Sequence, residues 1–600
     1  MRKFVSISLA LFAIVTITWA VKVQPGYVRI TQKDGTTLTV SGHGDENMHY
    51  YLTKDKVLLC QRGTDFYIAK TDSDGTLSST GILAHEADNR SEAETAAVNA
   101  QDKDAFYSNM DHKVALTRAK SSSVTEAITT SSTLFPHTGS PTALVILADF
   151  TDTVFKEKNP KYVFDRYLNA DSFDSSDGTL AKNTGSVRKY FKDISGGLFT
   201  PNFDVHGPVH LAHPLTYYGG SESDDDGSGE NMYALIKDAC TAMDDSLDFS
   251  KYDQNGDGYV DLLYIIYAGY SQSITGVSNT AIWPKSGTNN TGPYDGVRTY
   301  RYGVNNELNS TPAANKTQTL INGIGLFCHE FSHCMGLPDF YPTSSSAQDA
   351  CNPALEYWDL MDAGEYSNYG YTPNEYSAWE KEAMGWMKID TLKTATDVTL
   401  KPLSEGGTAY RIMNDSDATG HEYYIVENVQ KTGWNAAIKG HGMLIYHVDY
   451  NANAFSLDWN SVNNTIGHSR MTIFPADGLL ISSYDSKYTG AQYQASHSGD
   501  PFPGTSNVYS FTDTTSPEKS TVYTGTTKLM GKPITDIAEA SDGTITFKFM
   551  GGTSGIREAI TDHTVNGDNR IFSINGMYMG TDMDVLPKGL YIRNGKKIVK

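Results

Sequence analysis

The segment 325–341, GLFCHEFSHCMGLPDFY, combines residues that bind metal ions with one that can move a proton. If it is helical, His329 and His333 lie four residues apart and share a face, so both imidazoles point to one place. Two neutral imidazoles at this spacing are typical zinc ligands. Glu330 lies one position further round the helix, where its carboxylate can reach a metal-activated water without binding the metal. This position predicts a general base.

Two residues extend the pattern beyond the second histidine. Gly336 lets the chain leave the helix in a conformation that most residues avoid. Asp339 can then return to the metal as a third ligand. The alternative is a buried helix whose histidines hydrogen-bond to ordinary partners, and the added glycine and aspartate favour the metal site over it.

A second candidate metal site lies at 253–261, DQNGDGYVD, where Gly258 provides a sharp turn. The pattern predicts a structural calcium loop, although Tyr264 stands where an EF-hand loop has Glu and an apolar strand follows. The alternative is a solvated turn of Asp, Asn and Gly. The candidate calcium ligands all offer an oxygen atom: Asp253, Asn255, Asp257 and Asp261 through side chains, and Tyr259 through its carbonyl.

Net charge and cysteine content argue against two classes of protein, nucleic-acid-binding proteins and disulfide-rich scaffolds. The formal net charge is −22, from 48 basic and 70 acidic residues, and no basic stripe is present. We therefore expect no nucleic-acid binding. The five cysteines form no dense paired pattern, which excludes a disulfide scaffold. Cys334 and Cys351 flank the loop after the metal helix, where a single bridge is compatible with the sequence.

The N-terminus has the order of a signal peptide, because Arg2 and Lys3 precede an apolar run that ends near Ala20. That run is short for a membrane span, and no later run is long enough, so we expect an exported chain without a transmembrane segment. Composition then predicts five segments. These are a signal peptide at 1–20, a β-rich propeptide with a polar linker at 21–134, a catalytic domain at 135–390, an all-β sandwich-like domain at 391–550 and a tail at 551–600.

Within these segments, hydrophobic patterning predicts a multidomain protein whose catalytic domain is α/β (α+β). We expect β-hairpins at 27–31 and 36–40, and an accessory domain that is retained is the alternative to a propeptide. In the catalytic domain we expect buried strands at 142–150 and 262–267, a helix at 185–194, a strand at 197–205 and a helix at 373–387. His441 and His447 lie six residues apart, which favours structural roles.

Two cysteines raise questions about reactivity. Cys60 is the single cysteine of the propeptide, and one hypothesis is that its thiolate occupies an open position on the metal and keeps the chain latent. The alternative is a buried strand cysteine. Cys328 precedes His329, but on a helix it points about 100° away, so we interpret it as a core residue.

HEFSHCMGLPDFY, together with YWDLMDAG at 357–364, resembles the immune inhibitor A-like secreted metallopeptidases, a zincin family with metzincin-like features. The resemblance covers most of 23–549. It implies zinc on His329, His333 and Asp339, Glu330 as general base and Met361 as the methionine of a tight turn beneath the metal. Metzincins more often have His where Asp339 stands, and Tyr366 is a distant candidate for stabilising the oxyanion.

The tail 555–600 is similar to the C-terminal sorting domains of the type IX secretion pathway, which implies a secretion-machinery partner. The expected function is that of a secreted or cell-surface zinc endopeptidase acting on extracellular proteins. The alternative is a secreted adhesion protein whose zinc site is structural or degenerate.

Overall fold

The computed structural model describes residues 18–19, 21–45, 49–73, 75–110, 134–220, 230–310, 319–485, 487–552, 570–574, 576–593 and 596–600. The predicted signal peptide, apart from residues 18–19, and the polar run 121–132 lie outside these residues. Among the helices in the described ranges, none has the length and apolar character needed to cross a bilayer.

The N-terminal region forms an antiparallel meander after a short first strand, β1. The turn between the first two meander strands contains Gly35, which has a φ of 84°, a backbone conformation that glycine adopts more readily than other residues. The predicted hairpin is confirmed, and two helices follow the sheet. The elements are β1 (Thr18–Trp19), β2 (Tyr27–Thr31), β3 (Thr37–Gly44), β4 (His49–Thr53), β5 (Leu58–Arg62), β6 (Asp65–Thr71), β7 (Leu77–Leu83), α1 (Glu92–Asn99) and α2 (residues 103–110).

The central sheet has the strand order β1-β11-β12-β10-β8-β9. Strands β9, β8, β10 and β12 are parallel, while β11 is antiparallel to β12 and β1 is antiparallel to β11. Residues 18–19 therefore form an edge of this sheet. The elements are β8 (Thr142–Asp149), α3 (Pro160–Asn169), α4 (Val187–Ile194), β9 (Asn202–His210), α5 (Leu215–Gly219), α6 (Met232–Met243), β10 (Leu263–Tyr270), β11 (Lys285–Thr288), β12 (Arg301–Leu308) and α7 (Ile324–Cys334).

Strand β8 shows why this sheet is covered on both sides. Val145 and Leu147 belong to the core cluster that contains α7, whereas Leu144 and Ile146 belong to the cluster that contains α6. Successive residues of a strand point to opposite faces, so a continuous apolar run belongs to a strand buried between two layers. The predicted strands at 142–150 and 262–267 are confirmed.

Two sequence-based boundaries were wrong. The strand expected at 197–205 begins at Asn202, because Gly196 and Gly197 have φ of 62° and 84° and form the turn that ends α4. The helix expected at 373–387 is shorter, since Ser377 caps it together with Glu380. The helix expected at 185–194 is confirmed as α4. The remaining helices of this region are α8 (Ser345–Asp349) and α9 (Ala378–Ala383).

The region after residue 389 contains two sheets, ordered β13-β15-β16-β17-β18 and β14-β20-β19. On β16, Tyr424 and Val426 belong to a core cluster shared with the three-stranded sheet, whereas Tyr423 and Ile425 belong to the cluster that also contains residues of α7 and α9. The elements are β13 (Asp390–Thr391), β14 (Thr396–Leu400), β15 (Tyr410–Met413), β16 (Glu422–Val429), β17 (Gly442–Asp449), β18 (Met471–Ile473), α10 (Gly490–Ser496), β19 (Ile534–Glu539) and β20 (Ile545–Phe549).

The described part of the tail is a small four-stranded sheet of order β22-β21-β23-β24 around Ile571, Leu586 and Tyr591. Its strands are β21 (Ile571–Ser573), β22 (Tyr578–Gly580), β23 (Leu590–Arg593) and β24 (Lys596–Val599). The sorting role of the tail and the five domain boundaries stay predictions.

All five cysteines lie in the described ranges, and none is in a disulfide. The bridge considered between Cys334 and Cys351 is not formed. The buried Cys334 thiol is 3.7 Å from the Tyr302 carbonyl oxygen, to which it donates. Cys334 therefore contributes to the packing between α7 and the central sheet.

The contact between α7 and the 3₁₀ segment Ala363–Gly370 gives a first prediction. A Cβ atom at Gly325 would lie 2.0 Å from the backbone oxygen of Glu365. We expect Gly325→Ala to lower the free energy of unfolding by about 1–3 kcal/mol, because helix and segment must move apart. Thermal unfolding measures the change. Gly490→Ala is the control, since a Cβ there has no heavy atom within 4 Å, and equal melting temperatures for both variants would contradict the prediction.

Candidate metal centre

Helix α7 carries both histidines and packs against the 3₁₀ segment and against strands β11 and β12 of the central sheet. His329 and His333 are completely buried. The helix ends at Cys334, and Gly336 follows with φ of 111°. The predicted exit from the helix is confirmed, since few residues other than glycine adopt this backbone conformation.

The three predicted metal ligands converge. The ligand atoms of His329, His333 and Asp339 all lie within 4.8 Å of one another, and this is the one such group of His, Cys, Asp or Glu residues found in the described ranges. Asp339 Oδ1 is 3.1 Å from His329 Nε2 and 3.3 Å from His333 Nε2. The two Nε2 atoms are 3.1 Å apart.

Backbone carbonyls fix the tautomer of each imidazole. His329 Nδ1 donates to the Leu360 oxygen at 2.8 Å, and His333 Nδ1 donates to the Leu337 oxygen at 2.7 Å. With the protons on Nδ1, both Nε2 lone pairs face the Asp339 carboxylate. Three acceptor atoms at these distances repel one another unless a cation or an added proton lies between them. This donor set fits Zn²⁺, which is bound by neutral imidazole and carboxylate.

Asp339 is held by a residue from far along the chain. Its backbone N–H donates to Asn460 Oδ1 at 2.7 Å, and its Oδ2 accepts from Asn460 Nδ2 at 2.5 Å. Burial opposes ionisation, but the two imidazoles hold the pKa of Asp339 below its usual range. The carboxylate is thus charged and fixed in place with Oδ1 directed at the histidines.

Glu330 lies beside the three ligands and is fully buried. Burial raises its pKa to about 8. Its Oε1 accepts from the backbone N–H of Val21 at 2.9 Å, and its Oε2 has no hydrogen-bond partner among the described residues. The carboxylate is therefore placed next to the ligand set with one oxygen available for another group.

The first residues after the predicted signal peptide run through this site. Val21 contacts Glu330, and its carbonyl accepts from Trp283 Nε1 at 3.0 Å. The Lys22 carbonyl accepts from the Tyr366 hydroxyl at 2.8 Å, and Gln24 N–H donates to the Ser273 oxygen. We call residues 21–24 the cleft segment. It contacts the Glu330 carboxylate through the N–H of Val21.

The turn that contains Met361 lies directly against the histidine helix. Met361 is completely buried, and the carbonyl that accepts from His329 belongs to the preceding residue, Leu360. Glu365 Oε2 lies 3.7 Å from His329 Nδ1, and burial raises the pKa of Glu365 well above its usual value. The predicted tight turn thus supports the first histidine through its backbone.

The two cysteines whose reactivity was in question, Cys60 and Cys328, are both buried in hydrophobic cores. Cys60 packs with Tyr50, Leu58 and Phe106 in the core of the N-terminal sheet, whereas Val21 donates its N–H to Glu330. The structure does not place the Cys60 thiol at the candidate metal ligands, and it confirms the alternative, a buried strand cysteine. Burial raises the pKa of the Cys328 thiol well above its usual value, in agreement with a core role.

His441 and His447 pair with carboxylates of the C-terminal sheets. His447 Nε2 is 2.9 Å from Glu422 Oε1, and His441 Nδ1 is 2.7 Å from Glu539 Oε1. The structural interpretation of both histidines is confirmed. Tyr366, the distant candidate for the oxyanion, contacts the carbonyl of Lys22 in the cleft segment.

In the predicted calcium loop, the side chains accept hydrogen bonds from the backbone of the loop itself. Asp253 accepts from the N–H groups of Gly256, Asp257 and Gly258, and Asn255 accepts from that of Asp257. Asp257 Oδ1 accepts from Tyr259 N–H at 3.0 Å. Asp261 Oδ1 is buried and has no hydrogen-bond partner in the described ranges. Calcium binding here stays a prediction.

The family model for the catalytic domain of immune inhibitor A, peptidase M6, matches residues 137–389. This segment is similar to the M6 catalytic domain. Immune inhibitor A of Bacillus thuringiensis subsp. alesti is 27% identical over 281 residues, covering 40% of this chain and 39% of that relative. The pre-pro-metalloprotease PrtV of Vibrio cholerae serotype O1 (strain M66-2) is 26% identical over 273 residues, covering 40% of this chain and 29% of that relative. The matches thus span 29% to 39% of these relatives, and the resemblance to the M6 family is confirmed over this part of the chain.

The sequence did not reveal every residue that shapes the M6-like centre. Asn460 lies 121 positions from Asp339 in a segment without a metal-binding pattern. Asp362, which directly follows Met361, was visible in YWDLMDAG, but nothing in its spacing indicated a partner. That partner, Lys22, is 340 positions away.

Asn460 gives a prediction about the third ligand. Its φ of 40° is tolerated by glycine, so Asn460→Gly removes the amide with little backbone strain. We expect about 10- to 100-fold weaker zinc binding, because Asp339 loses the group that orients its carboxylate. Competition with a chromogenic chelator measures the affinity. Asn507→Gly is the matched control, with φ of 55° on an exposed residue, and equal affinities in both variants would refute an orienting role for Asn460.

Proposed function

We propose that this chain is a secreted or cell-surface zinc-dependent endopeptidase that hydrolyses peptide bonds of extracellular proteins. The observation that carries the proposal is the placement of a buried carboxylate, Glu330, beside three converging ligands, His329, His333 and Asp339. A purely structural metal site has no use for a carboxylate with an available oxygen. The M6-like match of residues 137–389 supports the same function.

Zinc bound by the three ligands would polarise the scissile carbonyl and acidify a water molecule. Other residues of the chain position the metal ligands and exclude water from the site. Asn460 and the carbonyls of Leu360 and Leu337 hold the ligands, while burial of the centre excludes competing bulk water. The low local dielectric strengthens each charge interaction in the site.

Glu330 accepts the proton of the attacking water and then donates it to the leaving amine. The Val21 N–H donates to Glu330 Oε1 at 2.9 Å, which marks where the nitrogen of a cleaved bond would lie. No covalent enzyme intermediate is needed for this sequence of steps.

We also propose that the chain is made as a precursor and exported through its N-terminal signal peptide, with the tail contacting secretion machinery. The position of the cleft segment at Glu330 supports latency, because a substrate cannot use Glu330 until this segment leaves. The M6-like relatives named above include one described as a pre-pro-metalloprotease.

Glu330→Gln tests the proposed general base. We expect hydrolysis of casein by the processed protein to fall by about 10²- to 10⁴-fold, because the amide cannot take up the proton. Bound zinc, measured by metal analysis, should stay at the level of the unchanged protein. Glu405→Gln is the matched control, since Glu405 is exposed. Hydrolysis that survives both Glu330→Gln and a chelator would refute the zinc-peptidase proposal.

We further propose that the loop 253–261 binds a structural calcium ion, supported by its Asp and Asn oxygens and by the partnerless buried Asp261 Oδ1. At calcium concentrations about 100 times the dissociation constant, the free energy of unfolding should rise by about 2.7 kcal/mol. Thermal unfolding with and without calcium measures the change. The variant Asp257→Asn should gain less, and a melting temperature of the unchanged protein that does not respond to calcium would reject the site.

A further inference from the structure

The side chain of Lys22 in the cleft segment occupies a pocket that contains two carboxylates. Its Nζ donates to Asp362 Oδ1 at 2.5 Å and to Ser483 Oγ at 3.2 Å, and lies 3.7 Å from Glu356 Oε2. The Lys22 side chain is only 1% exposed. A lysine of an N-terminal segment is rarely buried to this extent unless its charge is compensated.

Two aromatic rings complete the pocket. The Nζ atom lies 5.5 Å from the ring centroid of Tyr341 and 5.4 Å from that of Tyr484, distances at which a cation is attracted to an aromatic face. Burial alone would lower the pKa of Lys22, but Asp362 and Glu356 raise it above its usual value. Lys22 therefore occupies the pocket with its amino group protonated.

The walls of the pocket are built by hydrogen bonds that do not involve Lys22. Asp362 Oδ2 accepts from the N–H groups of Leu355 and Glu356, at 3.1 and 2.6 Å. Glu356 Oε2 accepts from Ser483 N–H at 3.1 Å and from the Tyr493 hydroxyl at 2.5 Å, while its Oε1 is buried with no hydrogen-bond partner in the described ranges. Both carboxylates thus stay in position when the cleft segment leaves, and an empty pocket would contain buried, uncompensated negative charge.

The backbone of the cleft segment shows how a substrate would be aligned. Val21 presents its N–H to Glu330, so it corresponds to the first residue after a cleaved bond. Lys22 then corresponds to the second. Trp283 and Tyr366 donate to the carbonyls of these two residues, and the same donors can hold the backbone of any peptide that replaces the segment.

We propose that the pocket formed by Asp362, Glu356, Tyr341 and Tyr484 is a substrate subsite that selects a basic side chain at the second residue after the cleaved bond. The inference rests on the proposed peptidase function. Its substrates are extracellular proteins with lysine or arginine at that position, and Lys22 occupies the subsite in the precursor.

Peptide hydrolysis by the processed, secreted protein tests the subsite. Four fluorogenic peptides differ only at the second residue after the cleaved bond, which is lysine, arginine, methionine or glutamate. We expect kcat/KM for the lysine peptide to exceed that for the methionine peptide by about tenfold or more, because only the cation compensates the buried carboxylates, and the glutamate peptide to be the poorest. Equal kcat/KM for all four would overturn the subsite while leaving the peptidase proposal intact.

The variant Glu356→Gln tests whether the preference for a basic second residue depends on the charge of the pocket. Glu356→Gln keeps an oxygen that accepts from Ser483 and Tyr493 but removes the charge. We expect the ratio of kcat/KM between the lysine and methionine peptides to fall at least severalfold, mostly through a higher KM for lysine. The ratio should be unchanged in Glu405→Gln, and an unchanged ratio in Glu356→Gln would reject the pocket.

A binding measurement separates the subsite from catalysis and does not depend on folding of a pocket variant. Labelled peptides with the sequence of residues 21–24, carrying either lysine or methionine at the second position, are titrated into processed Glu330→Gln protein. We expect about tenfold tighter binding of the lysine peptide. Lysine-selective binding without hydrolysis of any peptide by the unchanged protein would overturn the peptidase function and keep the pocket. Equal binding of both peptides would overturn the pocket.

The full chain offers a final check through Lys22 itself. Lys22→Glu places a negative charge against Asp362 and Glu356, and we expect it to expel the cleft segment and raise hydrolysis of the lysine peptide by the intact precursor. Lys54→Glu, an exposed lysine of the same N-terminal region, is the matched control. A Lys22→Glu precursor that is no more active than the Lys54→Glu precursor would contradict the proposed charge selectivity.

Discussion

Two buried imidazoles can direct their Nε2 atoms to one point only when each Nδ1–H has its own acceptor. In this chain the acceptors are backbone carbonyls, Leu337 just after the helix and Leu360 in the turn before Met361. A buried N–H without an acceptor would cost free energy, so both loops must keep their conformations for the ligand set to exist. The left-handed Gly336 and the close packing of α7 on residues 363–370 follow from this requirement.

A second constraint is the number of buried acidic groups around the turn at 357–365. Burial raises the pKa of Glu365, and burial together with Glu380 raises that of Asp359, well above their usual values. These two groups avoid the cost of buried charge by holding a proton. Asp362 and Glu356 instead face the ammonium group of Lys22. The cleft segment therefore compensates buried negative charge as well as contacting Glu330.

The parts of the site that depend on local spacing could be predicted from the sequence. His329, Glu330 and His333 share a helix, and Gly336 and Asp339 follow within six residues of His333, so periodicity and turn chemistry suffice. The α/β pattern of the central sheet was visible because β8 is apolar on both faces. The start of β9 and the length of α9 were misjudged, because a glycine turn and a capping serine decide them locally. Asn460 and Lys22 act across more than one hundred residues, and no pattern along the chain encodes such contacts.

The centre also extends beyond the segment 137–389 that resembles the M6 catalytic domain. Asn460 binds both the N–H and the carboxylate of Asp339, and Ser483 and Tyr484 form one wall of the lysine pocket. Alternate residues of β16 belong to the core cluster that contains α7 and to the cluster of the three-stranded sheet, so the C-terminal sheets and the segment 137–389 share a continuous core. Because the position of Asp339 and the walls of the Lys22 pocket both depend on residues after 389, the loops of the C-terminal region are part of the candidate site and not a separable attachment.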